Sequence, residues 1–107
     1  MLFQVAQKHA VDMARRHYFS HNTPEGLTPG KRADIAGYDW GSYDENIGRG
    51  HASVKDVLNA WLSSPAHCQA MMEWELRDVA LACAVANGEP LWVLDLGARR
   101  PSQSRAR

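Results

Sequence analysis

Asp78-Val79-Ala80-Leu81-Ala82-Cys83-Ala84-Val85-Ala86 is apolar from its second residue to its last. Read with a period of two, one face is Val79, Leu81, Cys83 and Val85, and the other is Ala80, Ala82, Ala84 and Ala86. A strand with one face in water alternates apolar with polar residues, so this one is expected to be buried on both faces, with a helix packed closely over the alanines. Asn87-Gly88 then supplies hairpin-turn chemistry, and Leu91 to Leu96 returns as the antiparallel partner.

The remaining elements are helices that can cover such a sheet. Leu2, Val5, Ala6, His9, Ala10, Met13 and Ala14 recur at helical spacing, which predicts an amphipathic helix over 2–17 with His9 on its apolar stripe. A histidine there is more often a packed core residue than a ligand. Tyr18 to Gly30 is a loop with turn chemistry at Asn22-Thr23-Pro24-Glu25-Gly26. Thr28 before Pro29 predicts a capped short helix to about Ala36, stopped by a left-handed Gly37. Ser53 and Asp56 form a capping-box pattern ahead of Val54, Val57, Leu58, Trp61 and Leu62. Ser64-Pro65 ends that helix and starts another, which carries His67, Cys68, Met71 and Met72. The expected fold is α+β: a three-layer α-β-α sandwich, with a small antiparallel sheet covered by helices on both faces.

A chain of 107 residues is one domain that buries somewhat over about 60% of its unfolded surface. Lys plus Arg equals Asp plus Glu at 12 each, so no global field points to nucleic acid or a membrane surface. No apolar run is long enough for a transmembrane helix, no signal peptide is visible at the N-terminus, and a monomer is expected. The two cysteines, Cys68 and Cys83, are compatible with one disulfide or with two buried thiols. Residues 98–107 are basic and lack large apolar side chains, so a domain over 1–97 followed by a disordered basic tail is expected.

Chemistry concentrates around Tyr38-Asp39-Trp40-Gly41-Ser42-Tyr43-Asp44-Glu45-Asn46-Ile47-Gly48-Arg49-Gly50, in which Glu45-Asn46-Ile47 reads as a short strand. His21 precedes it in a loop and His67 follows it in a turn. Glu45 is expected to lie between the two imidazoles in a shallow polar cleft. Two imidazoles and a carboxylate can bind Zn²⁺ or another divalent metal while leaving a position open. The positive end of the helix that starts at Pro65 disfavours a charged His67, and a neutral ring is what a ligand or base needs. Glu45 can instead set the tautomer of one histidine. The plainer alternatives are that His21 anchors its loop, that His67 packs in a first turn, and that Asn46 bonds backbone to hold the cleft. Tyr38, Trp40 and Tyr43 suit packing over the sheet edge better than an exposed aromatic lip. Ser20 and His21 are sequence neighbours whose side chains diverge, so no nucleophile is paired with a base.

Three separated stretches resemble the bacterial branch of the CAP superfamily (cysteine-rich secretory proteins, antigen 5, pathogenesis-related class 1), whose domains are also called SCP domains. The first is His9-Ala10-Val11-Asp12-Met13-Ala14 with Tyr18-Phe19-Ser20-His21, Arg32 and Ala36-Gly37-Tyr38. The second is Glu45-Asn46-Ile47 with Gly50. The third is Trp61, Ser64-Pro65-Ala66-His67 and Met71. Leu91-Trp92-Val93 with Gly97 resembles the family's last strand. The resemblance implies the same sandwich, a secreted or cell-surface location, and a cleft lined by two histidines and two acidic residues that sometimes holds a divalent metal. By position His21, Glu45 and His67 fill three of those places, and Asn46 joins them as a ligand-binding candidate. Leu91-Trp92 stand where eukaryotic members carry a histidine, Ser64 where they carry a second Glu, and Asp44 where a Gly usually precedes the Glu-Asn pair. The usual segment before Leu2 is absent, as in an N-terminally truncated domain. The resemblance thus implies a secreted, non-enzymatic binding module for a small-molecule, lipid or cell-envelope ligand. The alternative is a metal-assisted hydrolase acting on peptide or cell-wall substrate, with Glu45 as base and His21 and His67 as ligands or acid.

Overall fold

The computed structural model describes residues 1–72 and 77–101. Their order is α1 (Leu2–Arg16), α2 (Pro29–Ile35), β1 (Trp40–Arg49), α3 (Val54–Leu62), α4 (Pro65–Met71), β2 (Asp78–Ala86) and β3 (Glu89–Arg99). The strands form one antiparallel sheet in the order β1-β3-β2, so the last strand in the sequence is the middle one in space. The fold is the expected α-β-α sandwich. No helix among the described residues is long and apolar enough to cross a membrane.

Local signals set the helix ends where the sequence predicts them. Thr28 Oγ1 accepts the Lys31 N–H at 3.2 Å with Pro29 behind it, and Ser53 Oγ accepts the Asp56 N–H at 3.1 Å. Gly37 adopts a positive φ of 87° just past α2. Each of these bonds satisfies a backbone donor that helix geometry leaves unpaired.

The two faces of β3 organise two cores. Leu91 and Val93 join Ala6, Ala10 and Met13 of α1, together with Ala80 and Ala82 of β2. Alanine opposite alanine lets α1 lie close to the sheet, as the small-residue face of β2 predicts. Trp92, Leu94 and Leu96 face the other way, onto Val57 and Trp61 of α3. Trp61 Nε1 donates to the Ile47 carbonyl at 3.0 Å and Trp92 Nε1 to the His51 carbonyl at 2.9 Å, so both indoles bury their rings with the polar atom satisfied.

Several expectations need correction. The bulky face of β2 is not buried along its length: Val79 and Val85 are 64% and 62% exposed, and only Leu81 and Cys83 pack against the α3 core. β2 is an edge strand, and the α3 core reaches only its middle. β1 is a full ten-residue strand: pairing with β3 from Ser42 to Arg49 outweighs the weak strand preference of Asp44 and Gly48, and Gly41 sits where the register shifts between Trp40 and Ser42. The tail does not begin at residue 98: Ala98 and Arg99 belong to β3, and Arg100 bonds Asp39 through both backbone and side chain. Residues 102–107 lie outside the described residues. Cys68 and Cys83 are both free thiols, each half-buried.

Tyr38 is 1% exposed, and its hydroxyl donates to Asp78 Oδ2 at 2.6 Å, fixing the ring against Gly97 of β3. A Cβ at Gly97 would lie 2.7 Å from the Tyr38 oxygen and 2.8 Å from Cε2. Gly97→Ala is therefore expected to destabilise the protein by about 1–3 kcal/mol through overpacking. The midpoint of urea unfolding reads the change.

Candidate functional site

Alternation along β1 decides where its polar residues go. Glu45 lies opposite Asp95 and Ile47 opposite Val93, so Tyr43, Glu45 and Ile47 face the α1 and α2 side. Asn46 lies opposite Leu94 and faces α3 and α4.

Glu45 is buried, with only 1% of its side chain exposed. Arg32 of α2 holds it: Nη2 lies 3.0 Å from Oε1 and 3.1 Å from Oε2, and the same nitrogen donates to the His21 carbonyl at 2.7 Å. The Arg32 side chain is itself only 9% exposed, and its Nε and Nη1 are buried without a protein partner. The third group is His21, whose Nδ1 lies 2.9 Å from Glu45 Oε1. An ionised carboxylate only accepts, so Nδ1 carries the hydrogen and Nε2 keeps its lone pair. Burial, and then the Arg32 charge, push the His21 pKa below its ordinary value, against the opposing pull of Asp44. The ring is therefore neutral at neutral pH, and 47% of its side chain is exposed.

The loop that presents His21 is anchored from behind. His9, 1% exposed on α1, bonds through Nε2 to the Ser20 carbonyl at 2.8 Å. Burial first, and then Arg32, hold its pKa down to about 4, so it serves as a neutral donor. His9 is the core histidine its place on the apolar stripe predicts, and it positions the residue next to His21.

His21 and Glu45 open onto a groove of about 430 Å³, bounded also by Thr28, Lys31, Trp40 and Asp44. Trp40 is a fixed wall, because its Nε1 donates to Asp34 Oδ1 at 2.9 Å and to the Gly30 carbonyl at 3.2 Å. Tyr38 and Tyr43 are tied to Asp78 and Asp95, so the three aromatics pack against the sheet as expected.

The other two candidates lie elsewhere. Asn46 is 2% exposed, and its Nδ2 donates to the His67 carbonyl at 3.2 Å, which tethers α4 to β1. This is the shape-holding role; its side chain does not reach the groove. His67 Nδ1 lies 3.0 Å from Ser64 Oγ, so the hydroxyl before Pro65 meets the imidazole of its own first turn. The structure brings His21 to Glu45 and attaches His67 to the Asn46 side of β1. Arg32 and Asp95 complete the buried site. Arg32 entered the sequence reading only through the family resemblance, and Asp95 not at all. Its signal was there: one acidic residue in the run Leu91-Trp92-Val93-Leu94-Asp95-Leu96, in phase with the inward-facing Leu91 and Val93.

Residues 1–96 match the model of the cysteine-rich secretory protein family, CAP. The chain belongs to the CAP family. This CAP domain is 29% identical over 66 residues to the uncharacterised protein YkwD of Bacillus subtilis (strain 168), a stretch that is 62% of this chain and 26% of YkwD. It superposes on an extracellular SCP-domain protein from Bacillus anthracis str. Ames with a TM-score of 0.77 and 26% identity, over 91% of this chain and 31% of that one. It also superposes on an outer surface protein from Borrelia burgdorferi with a TM-score of 0.75 and 25% identity, over 92% of this chain and 74% of that one. The chain thus spans about a quarter of the length of YkwD and under a third of the Bacillus anthracis protein.

The metal that CAP clefts sometimes hold does not fit this donor set. Both Glu45 oxygens already lie against the Arg32 guanidinium, and His21 Nδ1 faces Glu45. Among the described residues, no three His, Cys, Asp or Glu side chains gather as a group able to hold a metal ion. His21, Glu45 and His67 therefore do not gather as the Zn²⁺ ligands expected of them. Arg32 supplies the positive charge that Glu45 needs.

Removing that cation should be costly. Arg32→Met is expected to destabilise the domain by about 3–5 kcal/mol, the range for one partner lost from a buried pair. Arg16→Met, at exposed pairs with Asp12 and Glu25, should cost far less. Burial already raises the Glu45 pKa, and without Arg32 it rises further. The loss should therefore be largest at neutral and alkaline pH and shrink as the pH falls. Urea unfolding of both variants at two pH values checks the sign.

Proposed function

We propose that this CAP domain is a non-enzymatic binding module that works outside the cell. Its ligand is a polar piece of the cell envelope, a saccharide or peptide, that donates a hydrogen bond to His21 Nε2. The observation that carries this reading is the Arg32–Glu45–His21 chain: a buried ion pair orients an imidazole so that its lone pair faces an open groove. The charged groups in the groove's lining, Lys31, Asp34 and Asp44 beside His21, favour a hydroxyl- or amine-bearing ligand over an acyl chain or a sterol. The extracellular and outer-surface descriptions of the Bacillus anthracis and Borrelia burgdorferi proteins support the location. The groove's hydroxyls are already engaged: Thr28 Oγ1 caps α2, and the Tyr43 hydroxyl donates to Asp95. Among the described residues no activated nucleophile stands beside His21, and binding accounts for the arrangement without a chemical step.

One feature favours a second reading. A carboxylate holding Nδ1 and leaving Nε2 free is also how a general base is poised, so His21 could activate a water against a peptide or glycan bond.

Titration with soluble muropeptides, read through the ¹⁵N resonances of the His21 ring, tests both. The expected result is a saturable shift at Nε2, with muropeptide affinity read by calorimetry lost in His21→Ala while the fold is kept. Binding should weaken as the pH falls through the lowered His21 pKa, because protonation consumes the lone pair. An unmoved His21 at excess muropeptide would overturn the binding reading. Cleaved fragments in the mixture would replace it with the hydrolytic one.

A further inference from the structure

Asp95 is wholly buried on the middle strand, directly opposite Glu45 and on the same face. Side chains so paired across an antiparallel ladder are close neighbours, with Cβ atoms about 5 Å apart. Two ionised carboxylates at that separation, out of water, repel strongly, and one of them keeps its proton. The partners decide which. Arg32 contacts Glu45, and His21 donates to it, so the negative charge is stabilised there. Asp95 accepts the Tyr43 hydroxyl on Oδ2 at 2.8 Å, while Oδ1 is buried without a partner if the group is ionised.

We propose that Asp95 is a neutral carboxylic acid whose Oδ1–H donates to Glu45, so that the pair holds one negative charge and fixes it on Glu45 beside Arg32 and His21. Asp95 is then a positioning residue: it acts on the groove through Glu45, which sets the His21 tautomer. The bond gives the orphaned oxygen a partner. It also balances the charges that face the pair from every side. α2 contributes Arg32, and the loop after α1 contributes His21, which is neutral. α1 contributes His9, neutral behind Arg32, and β2 places only Ala80 opposite Asp95. β1 contributes Tyr43, which stays protonated, and Asp44, whose charge opposes a second anion on the pair. One buried cation thus meets one buried anion. Burial, and then the Glu45 hydrogen bond, push Asp95 up to about 9.

A carboxyl raised in this way is protonated in the folded protein at pH values where the unfolded chain has already released the proton. The stability it contributes is full below the ordinary carboxylate range and declines as the pH rises towards about 9. Asp95→Asn is the informative change, because an amide reproduces the neutral acid: its oxygen accepts from Tyr43 and its nitrogen donates to Glu45.

The proposal rests on Glu45 and His21 as the working pair, and its experiment uses the free protein. Side-chain carboxyl ¹³C resonances of the wild type are followed from neutral pH upward, with His21 ring ¹⁵N shifts in the wild type and in Asp95→Asn. At neutral pH Asp95 is expected at the protonated-acid position and Glu45 at the carboxylate position. The Asp95→Asn protein is expected to keep the Nδ1–H tautomer of His21 and to lose the alkaline decline in Tm. An Asp95 resonance at the carboxylate position at neutral pH overturns the proposal, and needs no variant to fold. So does a changed His21 tautomer in folded Asp95→Asn. Failure of muropeptide binding would leave the proton assignment intact, and failure here would leave the groove available to a ligand.

Discussion

The Arg32–Glu45 pair is the constraint on which this end of the molecule depends. Each partner has a large desolvation penalty, and each is tolerable only because the other is in place. The pair also ties α2 to β1 across a layer boundary. The same Arg32 nitrogen reaches the His21 carbonyl, so one guanidinium fixes the carboxylate, the helix and the loop together. Such a pair contributes little net stability compared with apolar packing of the same volume. What it provides is geometry: an imidazole whose Nδ1 is turned to Glu45 at the mouth of a groove.

Around that pair the sandwich works as a holder. The alanine faces of α1 and β2 let the helix settle close to the sheet, which places His9 where it can bond the Ser20 carbonyl. On the opposite layer, Asn46 ties α4 to the same strand that carries Glu45. The strand that carries Glu45 is therefore held from both sides of the sheet. His21 is half exposed and yet restrained by its own carbonyl, its ring and the residue before it.

Much of this was legible in the residues because it is local. Thr28, Ser53 and Gly37 mark helix ends by bonds and dihedrals that reach only a few positions along the chain. The paired apolar faces of Asp78–Ala86 correctly called for a sheet with a helix over its alanines. What was not legible depends on register and strand order. Glu45 and Asn46 are adjacent in sequence, but alternation sends them to opposite faces, and Asn46 spends its amide on the His67 carbonyl instead of the groove. His67 follows Asn46 to its own side of β1. The exposure of Val79 and Val85 follows from β2 lying at an edge, which periodicity does not encode. Asp95 shows the limit most clearly. A lone acid in an apolar run announces that something is unusual, but its partner Glu45 lies far upstream and is named only by the ladder.

The placement of β3 between its two neighbours carries a kinetic consequence. β1 and β2 have no bonds to each other, and both pair with a strand that follows them in the chain. Helices can flicker in and out as the polypeptide lengthens, but no sheet can nucleate until the segment from Glu89 onward arrives. The closure entropy of the long connection between β1 and β3 must then be overcome before their first contact stabilises anything. The buried acid–carboxylate–guanidinium cluster thus assembles late in folding, and until then its charges stay hydrated.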